Sequence, residues 1–155
     1  MSHTEFSKNT ALFSIGFTEK SAARFFTLLK SKNVRTLLDV RLQNTSQLAG
    51  FAKKEDLKFF LKEICNIDYL EVPELHPESK LLKDYKNKKI DWDYYSNRYM
   101  ELLEKRSVAN ILDPMIFDNG CLLCSEHQPH QCHRRLAIDY LNDKWKNRFK
   151  VEHLK

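Results

Sequence analysis

Short apolar runs alternate with amphipathic segments along nearly the whole chain, and few folds accept that alternation. Leu12 to Phe17, Thr36 to Val40, Tyr69 to Val72, Cys121 to Ser125 and Phe149 to Leu154 read as strands. Between them, apolar residues recur at helical spacing: Ala22, Phe25, Phe26 and Leu29 within Ser21 to Lys32, and Leu57, Phe60, Leu61 and Ile64 within Lys53 to Cys65. Asp91 to Arg106 and Cys132 to Lys146 continue the pattern, with Ser21 and Asp91 placed as N-caps. Glu74 to Lys89 reads as part helix and part loop, and Val108 to Ile116 as a short helix. Strands alternating with helices build βαβ units. The expected fold is α/β: a single three-layer domain, a mostly parallel sheet of about five strands, with helices on both faces.

With 155 residues and only 3 Gly and 4 Pro, the chain has no stretch that resembles a linker, so one domain spans 1–155. Residues 1–11 read as a flexible N-terminal stretch. Met1 to Thr10 is polar, with no apolar leader, so nothing directs secretion. No run approaches the ~20 apolar residues that cross a bilayer. The expected compartment is the cytoplasm, where Cys65, Cys121, Cys124 and Cys132 are thiols or metal ligands rather than disulfides. A net charge of +5 suits an anionic partner, such as a nucleotide or nucleic acid, and equally a solvated lysine surface. The lysines cluster locally at Lys83, Lys86, Lys88 and Lys89, but no aromatic residues interleave regularly with them, so a stacking platform is not expected there.

In parallel sheets ligands sit beyond the carboxyl ends of the strands. Polar residues fall at those ends here: Thr18 after the first strand, Asp39 and Arg41 at the second, Glu74 after the third, Cys124 and Glu126 at the fourth. The segment from Cys121 to Arg134 holds three of the cysteines and supports three readings. As a zinc site, Cys121 and Cys124 have knuckle spacing, but strand alternation sends them to opposite faces. As a reactive site, Cys132 starts a helix, His133 and Glu126 exchange protons, and Arg134 forks around an anion. As a structural unit, the thiols pack and His133 and Arg134 tie the loop down. The cysteine-phosphatase loop is absent, because its arginine position is taken by His130 counted from Cys124 and by Ile138 counted from Cys132.

Several motifs together resemble the Domain of Unknown Function 488 family: Ser14-Ile-Gly-Phe-Thr18, Leu38-Asp-Val-Arg41, Val72-Pro-Glu-Leu75, Leu123-Cys-Ser-Glu126 and Cys132-His-Arg134. The likeness runs over about residues 12 to 154, although His76-Pro77 stands where one branch of the family has glycines. It implies a three-layer α/β fold with a pocket at the strand ends. Carried over by position, it marks Cys124, Glu126, Cys132 and His133 as candidate catalytic residues. It marks Gly16, Thr18, Asp39, Arg41, Glu74 and Arg134 as candidate substrate-binding residues, with Gly16 suited to a close backbone approach or a positive φ. The function expected is an enzyme acting on a nucleotide or nucleic-acid phosphate, with no cofactor. The alternative is a non-catalytic anion or nucleic-acid binding module, zinc-stabilised through Cys124, Cys132 and His133.

Overall fold

The computed structural model describes residues 9–44, 50–125 and 131–155. Five strands form one parallel sheet: β1 (Thr10–Gly16), β2 (Thr36–Asp39), β3 (Asp68–Glu71), β4 (Gly120–Cys124) and β5 (Phe149–His153), in the order β3-β2-β4-β1-β5. Among the described residues, six α-helices connect and cover it: α1 (Ala22–Ser31), α2 (Lys54–Phe60), α3 (Ser79–Lys86), α4 (Trp92–Lys105), α5 (Val108–Ile111) and α6 (His133–Lys144). The strands agree with the apolar runs to within two residues at each end. Thr10 belongs to the sheet, since its N–H donates to the Arg148 carbonyl (3.2 Å) and its hydroxyl to Asp118 (2.8 Å). Residues 10 and 11 are therefore strand, not a flexible N-terminal stretch; residues 1–8 lie outside the described chain.

Period-two alternation along the strands splits the core in two. Phe13, Ile15, Leu37, Cys121 and Leu123 face α1 and α2. Leu12, Leu38, Val40, Leu122 and Cys124 face α3, α4 and α6. Central β4 is buried from end to end, as a strand covered on both faces must be. Each fully buried Leu or Phe contributes about 1.5–3 kcal/mol by leaving water. Gly120 opens β4 because a Cβ there would meet Leu38 Cδ1 at 2.9 Å and the Phe117 carbonyl oxygen at 3.0 Å.

Both anticipated caps are present. Ser21 Oγ accepts from the Arg24 N–H at 3.1 Å, and Asp91 Oδ1 from the Tyr94 N–H at 2.8 Å. One helix departs from its expected face. After α2 the chain passes into a π turn over Leu61–Cys65, closed by Asn66 at φ 54°. The extra residue in that turn shifts the later side chains around the helix axis, so Leu57 and Leu61 are buried while Ile64 is 49% exposed.

The topology creates a crevice. Neighbours β2 and β4 send their chains to opposite faces of the sheet, β2 towards α2 and β4 towards α6. A gap must open where the two connections part, and in parallel sheets that gap is where ligands bind.

Candidate functional site

A cavity of about 650 Å³ occupies this crevice. Its floor is the end of β4 and the start of α6: Cys124, Ser125, Cys132 and His133. Arg41 and Gln43, just past β2, form one wall. The opposite wall comes from α3 and α4, with Tyr85, Trp92 and Tyr95 beside the exposed Lys83 and Lys86.

The floor is organised by one buried cation. Arg134 is fully buried behind the two cysteines. Its Nη1 donates to Cys124 Sγ at 3.1 Å and lies 4.0 Å from Cys132 Sγ. Its Nε donates to Ser14 Oγ at 3.0 Å, and Ser14 Oγ lies 2.6 Å from His153 Nδ1. Since Ser14 accepts from the guanidinium, its own proton is directed to His153, which takes part as the neutral, accepting ring. Burial, and then the Arg134 charge, holds His153 below the usual histidine range. The sulfurs of Cys124 and Cys132 are in bonding contact, which the reading of all four cysteines as thiols or ligands does not anticipate. Cys121 lies on the other face of the sheet, as strand alternation requires, with its thiol pushed up by burial.

His133 Nε2 donates to the Val40 carbonyl at 2.8 Å and its ring meets Tyr99 edge-on. A carbonyl can only accept, so the proton sits on Nε2. Burial lowers the pKa to about 4, the hydrogen bond to Val40 opposing it. His133 is therefore neutral near pH 7 and exchanges protons in the acid range, not at neutrality as its residue type suggests. The unfolded ring titrates near 6.5 and the folded ring near 4, so the unfolded state binds more protons between them. The stability that this ring contributes is complete above pH 6.5 and is lost as pH falls towards 4. Urea unfolding should register a loss on the order of 3 kcal/mol across that window. His133→Gln, which keeps a donor for Val40 and cannot charge, should flatten that part of the profile; an equally steep profile in the variant would remove His133 as its cause.

Asp39 and Arg41 form a closed pair rather than two ligand-binding groups. Asp39 is wholly buried and Arg41 is 2% exposed. Arg41 Nε and Nη2 grip the two carboxylate oxygens at 2.9 and 2.8 Å, and Nη1 donates to the Ala52 carbonyl at 2.7 Å. Asn44 and the Tyr69 hydroxyl also donate to Asp39, and burial and the Asp39 charge push the Tyr69 phenol up so that it stays a donor.

Of the sequence candidates, Arg41, Cys124, Cys132 and His133 line the cavity, with Asp39 behind Arg41 and Arg134 behind the sulfurs. Gly16 pairs with Cys124 in the sheet, and no described glycine has a positive φ, so that part of its rationale falls away. Thr18 is exposed and ties the Ser125 carbonyl through its N–H (3.1 Å) and its hydroxyl. Glu74 sits in a short 3₁₀ turn (Pro73–Leu75), where its carbonyl accepts from Arg106 at 3.0 Å; its side chain is not part of the cavity wall. Glu126 lies outside the described residues. Among those described, no three His, Cys, Asp or Glu side chains are placed to hold a metal ion, and no helix is long and apolar enough to cross a membrane.

The sequence reading misses the wall. Tyr85, Trp92 and Tyr95 form a cluster in which Trp92 and Tyr95 stack with ring centroids 5.4 Å apart, and Tyr85 tilts against Tyr95 at 5.0 Å and Trp92 at 5.7 Å. Lys83 and Lys86 share the cavity with that cluster. Lysines from α3 and rings from α4 are brought together in space though not along the chain. The signal is the i, i+3 pair Trp92 and Tyr95 on a helix next to the basic one.

Fold and site define an all-parallel α/β domain with a cysteine-floored pocket at the switch point of its sheet. The family model for "Domain of unknown function DUF488" matches residues 21–141, and the chain belongs to that family. No curated protein and no solved structure matches the chain.

Proposed function

We propose that this protein is an enzyme acting on a nucleotide or nucleic-acid phosphate held in the strand-end cavity. The observation that carries the reading is the union of three chemistries in one crevice: the cations Lys83 and Lys86, the half-buried rings of Tyr85 and Trp92, and the sulfurs of Cys124 and Cys132. A base stacked on an aromatic ring gains about 1–3 kcal/mol. Lysines supply mobile point charges for phosphate oxygens. Arg41 lines the same wall with its charge matched by Asp39, so the pair fixes the shape of the wall and the lysines carry its charge. With the Cys124–Cys132 pair reduced, Cys124 is the nucleophile in this reading, because a guanidinium 3.1 Å from its sulfur favours the thiolate. His133 acts by position and as a neutral ring, and Glu126 enters as the acid–base group on the sequence pattern alone. The cytoplasm, with its nucleotide pools and reduced thiols, is the compartment that fits this chemistry.

Isothermal titration with nucleoside monophosphates, nucleoside triphosphates and short oligonucleotides tests the binding half. Lys83→Ala/Lys86→Ala should weaken the ligand by about tenfold or more, since each phosphate contact carries on the order of 1 kcal/mol at an exposed position. Unchanged affinity in that variant, or no binding by the wild type, overturns the reading. A non-catalytic anion-binding module would use the same wall, and the burial of both sulfurs favours it as the second reading. Turnover that Cys124→Ser abolishes while binding persists selects the enzyme; binding without turnover in wild type selects the module.

A further inference from the structure

Four cysteines are present, and their surroundings divide them sharply. Cys121 is wholly buried among apolar residues of the α1–α2 face, and Cys65 is half-buried; burial pushes both thiols up, away from the reactive form. Cys124 and Cys132 instead meet sulfur to sulfur at the cavity floor, one ending β4 and the other N-capping the twelve-residue helix α6. Arg134 reaches both, at 3.1 Å to Cys124 and 4.0 Å to Cys132.

We propose that Cys124 and Cys132 are a reversible dithiol–disulfide couple oxidised by hydrogen peroxide, with Cys124 as the attacking thiolate and Cys132 as the resolving thiol. Three features carry this. The two sulfurs face one another on the cavity floor, with the residues that carry them only eight apart in the chain. The nearer guanidinium hydrogen bond selects Cys124 as the anion. The residues are only 1% and 3% exposed and are reached through the cavity, which admits a small oxidant and excludes a disulfide carried by another protein.

The chemistry balances in two steps. The Cys124 thiolate attacks one peroxide oxygen; an S–O bond forms, the O–O bond breaks, and hydroxide leaves and is protonated to water. Cys132 then attacks the sulfenic sulfur; the S–S bond forms, the S–O bond breaks, and a second water leaves with the Cys132 proton. Two thiols are oxidised and one hydrogen peroxide is reduced to two waters. A small dithiol such as dithiothreitol reverses the state by exchange. The couple does not depend on the cavity taking a nucleotide.

The test is on the intact chain. Protein reduced with dithiothreitol and desalted is exposed to equimolar hydrogen peroxide, then denatured and alkylated with N-ethylmaleimide. Reduced protein should take four labels, matching its four cysteines. Oxidised protein should take two, yield a Cys124–Cys132 linked peptide in a non-reducing digest, and return to four on reduction. Four labels after peroxide, a link to Cys65 or Cys121, or progression to sulfinic acid without a link overturns the proposal, and this arm needs no variant. Cys132→Ser should accumulate a sulfenic acid on Cys124 that dimedone traps. Cys124→Ser should slow reaction with peroxide at least about tenfold, reflecting loss of the favoured thiolate; an undiminished rate overturns the choice of Cys124.

Discussion

Asp39→Ala should lower the stability of the fold by about 3–5 kcal/mol in urea unfolding, more than any single truncation at the cavity surface. The carboxylate it removes is the acceptor for two Arg41 side-chain donors, the Arg41 backbone N–H (3.1 Å), Asn44 and the Tyr69 hydroxyl. With methyl in its place, a guanidinium 2% exposed loses its counter-charge and the Tyr69 hydroxyl loses its acceptor. The penalty is that of an uncompensated buried charge, which greatly exceeds the net worth of the pair itself. The double variant Asp39→Leu/Arg41→Met should therefore be far more stable than Asp39→Ala, because it removes both charges and keeps the volume. If the double variant is as unstable as the single one, loss of packing rather than loss of charge balance governs this corner. Asp39→Asn, which keeps an oxygen for Arg41 and Tyr69, should fall between wild type and Asp39→Ala.

That pair marks the limit of what residue order discloses. Asp39 and Arg41 stand at a strand end, where Arg41 lines the cavity and Asp39 lies behind it, but the sequence cannot say that they face each other. Two residues apart on an extended chain, their side chains share one side of the sheet, and burial then forces them to neutralise one another. The same alternation separates Cys121 from Cys124 and is correct from sequence alone, because it needs only the strand. The two N-caps are legible for a similar reason: Ser21 and Asp91 act within three residues of themselves. Ile64 is misplaced because a π turn adds a residue that no periodicity foretells. The cavity wall is missed because Lys83, Lys86, Trp92 and Tyr95 belong to two helices whose packing is a tertiary fact. Thr18 and Glu74 illustrate the converse: polar residues past strand ends that tie backbone in place through Ser125 and Arg106.

Arg134→Met should reduce the alkylation rate of Cys124 in the reduced protein by about tenfold or more at neutral pH, while keeping a folded chain. As a surface-facing fork, Arg134 would be removable without harm to the fold; full burial changes that expectation. Truncation to alanine opens a cavity and should cost roughly 2–5 kcal/mol, so its phenotype would mix folding with chemistry. Methionine fills most of the same volume and has no charge to desolvate, so the core stays packed. What it removes is the donor 3.1 Å from the Cys124 sulfur and the Nε–H that Ser14 accepts. Without that cation the thiolate loses its stabilising partner in a site from which water is largely excluded. The anionic fraction falls, and the gain in intrinsic nucleophilicity recovers only about half of the loss on a logarithmic scale. Arg134→Lys should retain more of the rate than Met, since it keeps a charge without the planar fork. The rate of iodoacetamide labelling against pH, read at Cys124 by peptide mass, separates the two roles that Arg134 can play. A folded Arg134→Met protein that labels as fast as wild type would make this arginine a tie between β1, β4 and α6 and nothing more; a slow one makes the buried guanidinium the group that charges the floor of the cavity.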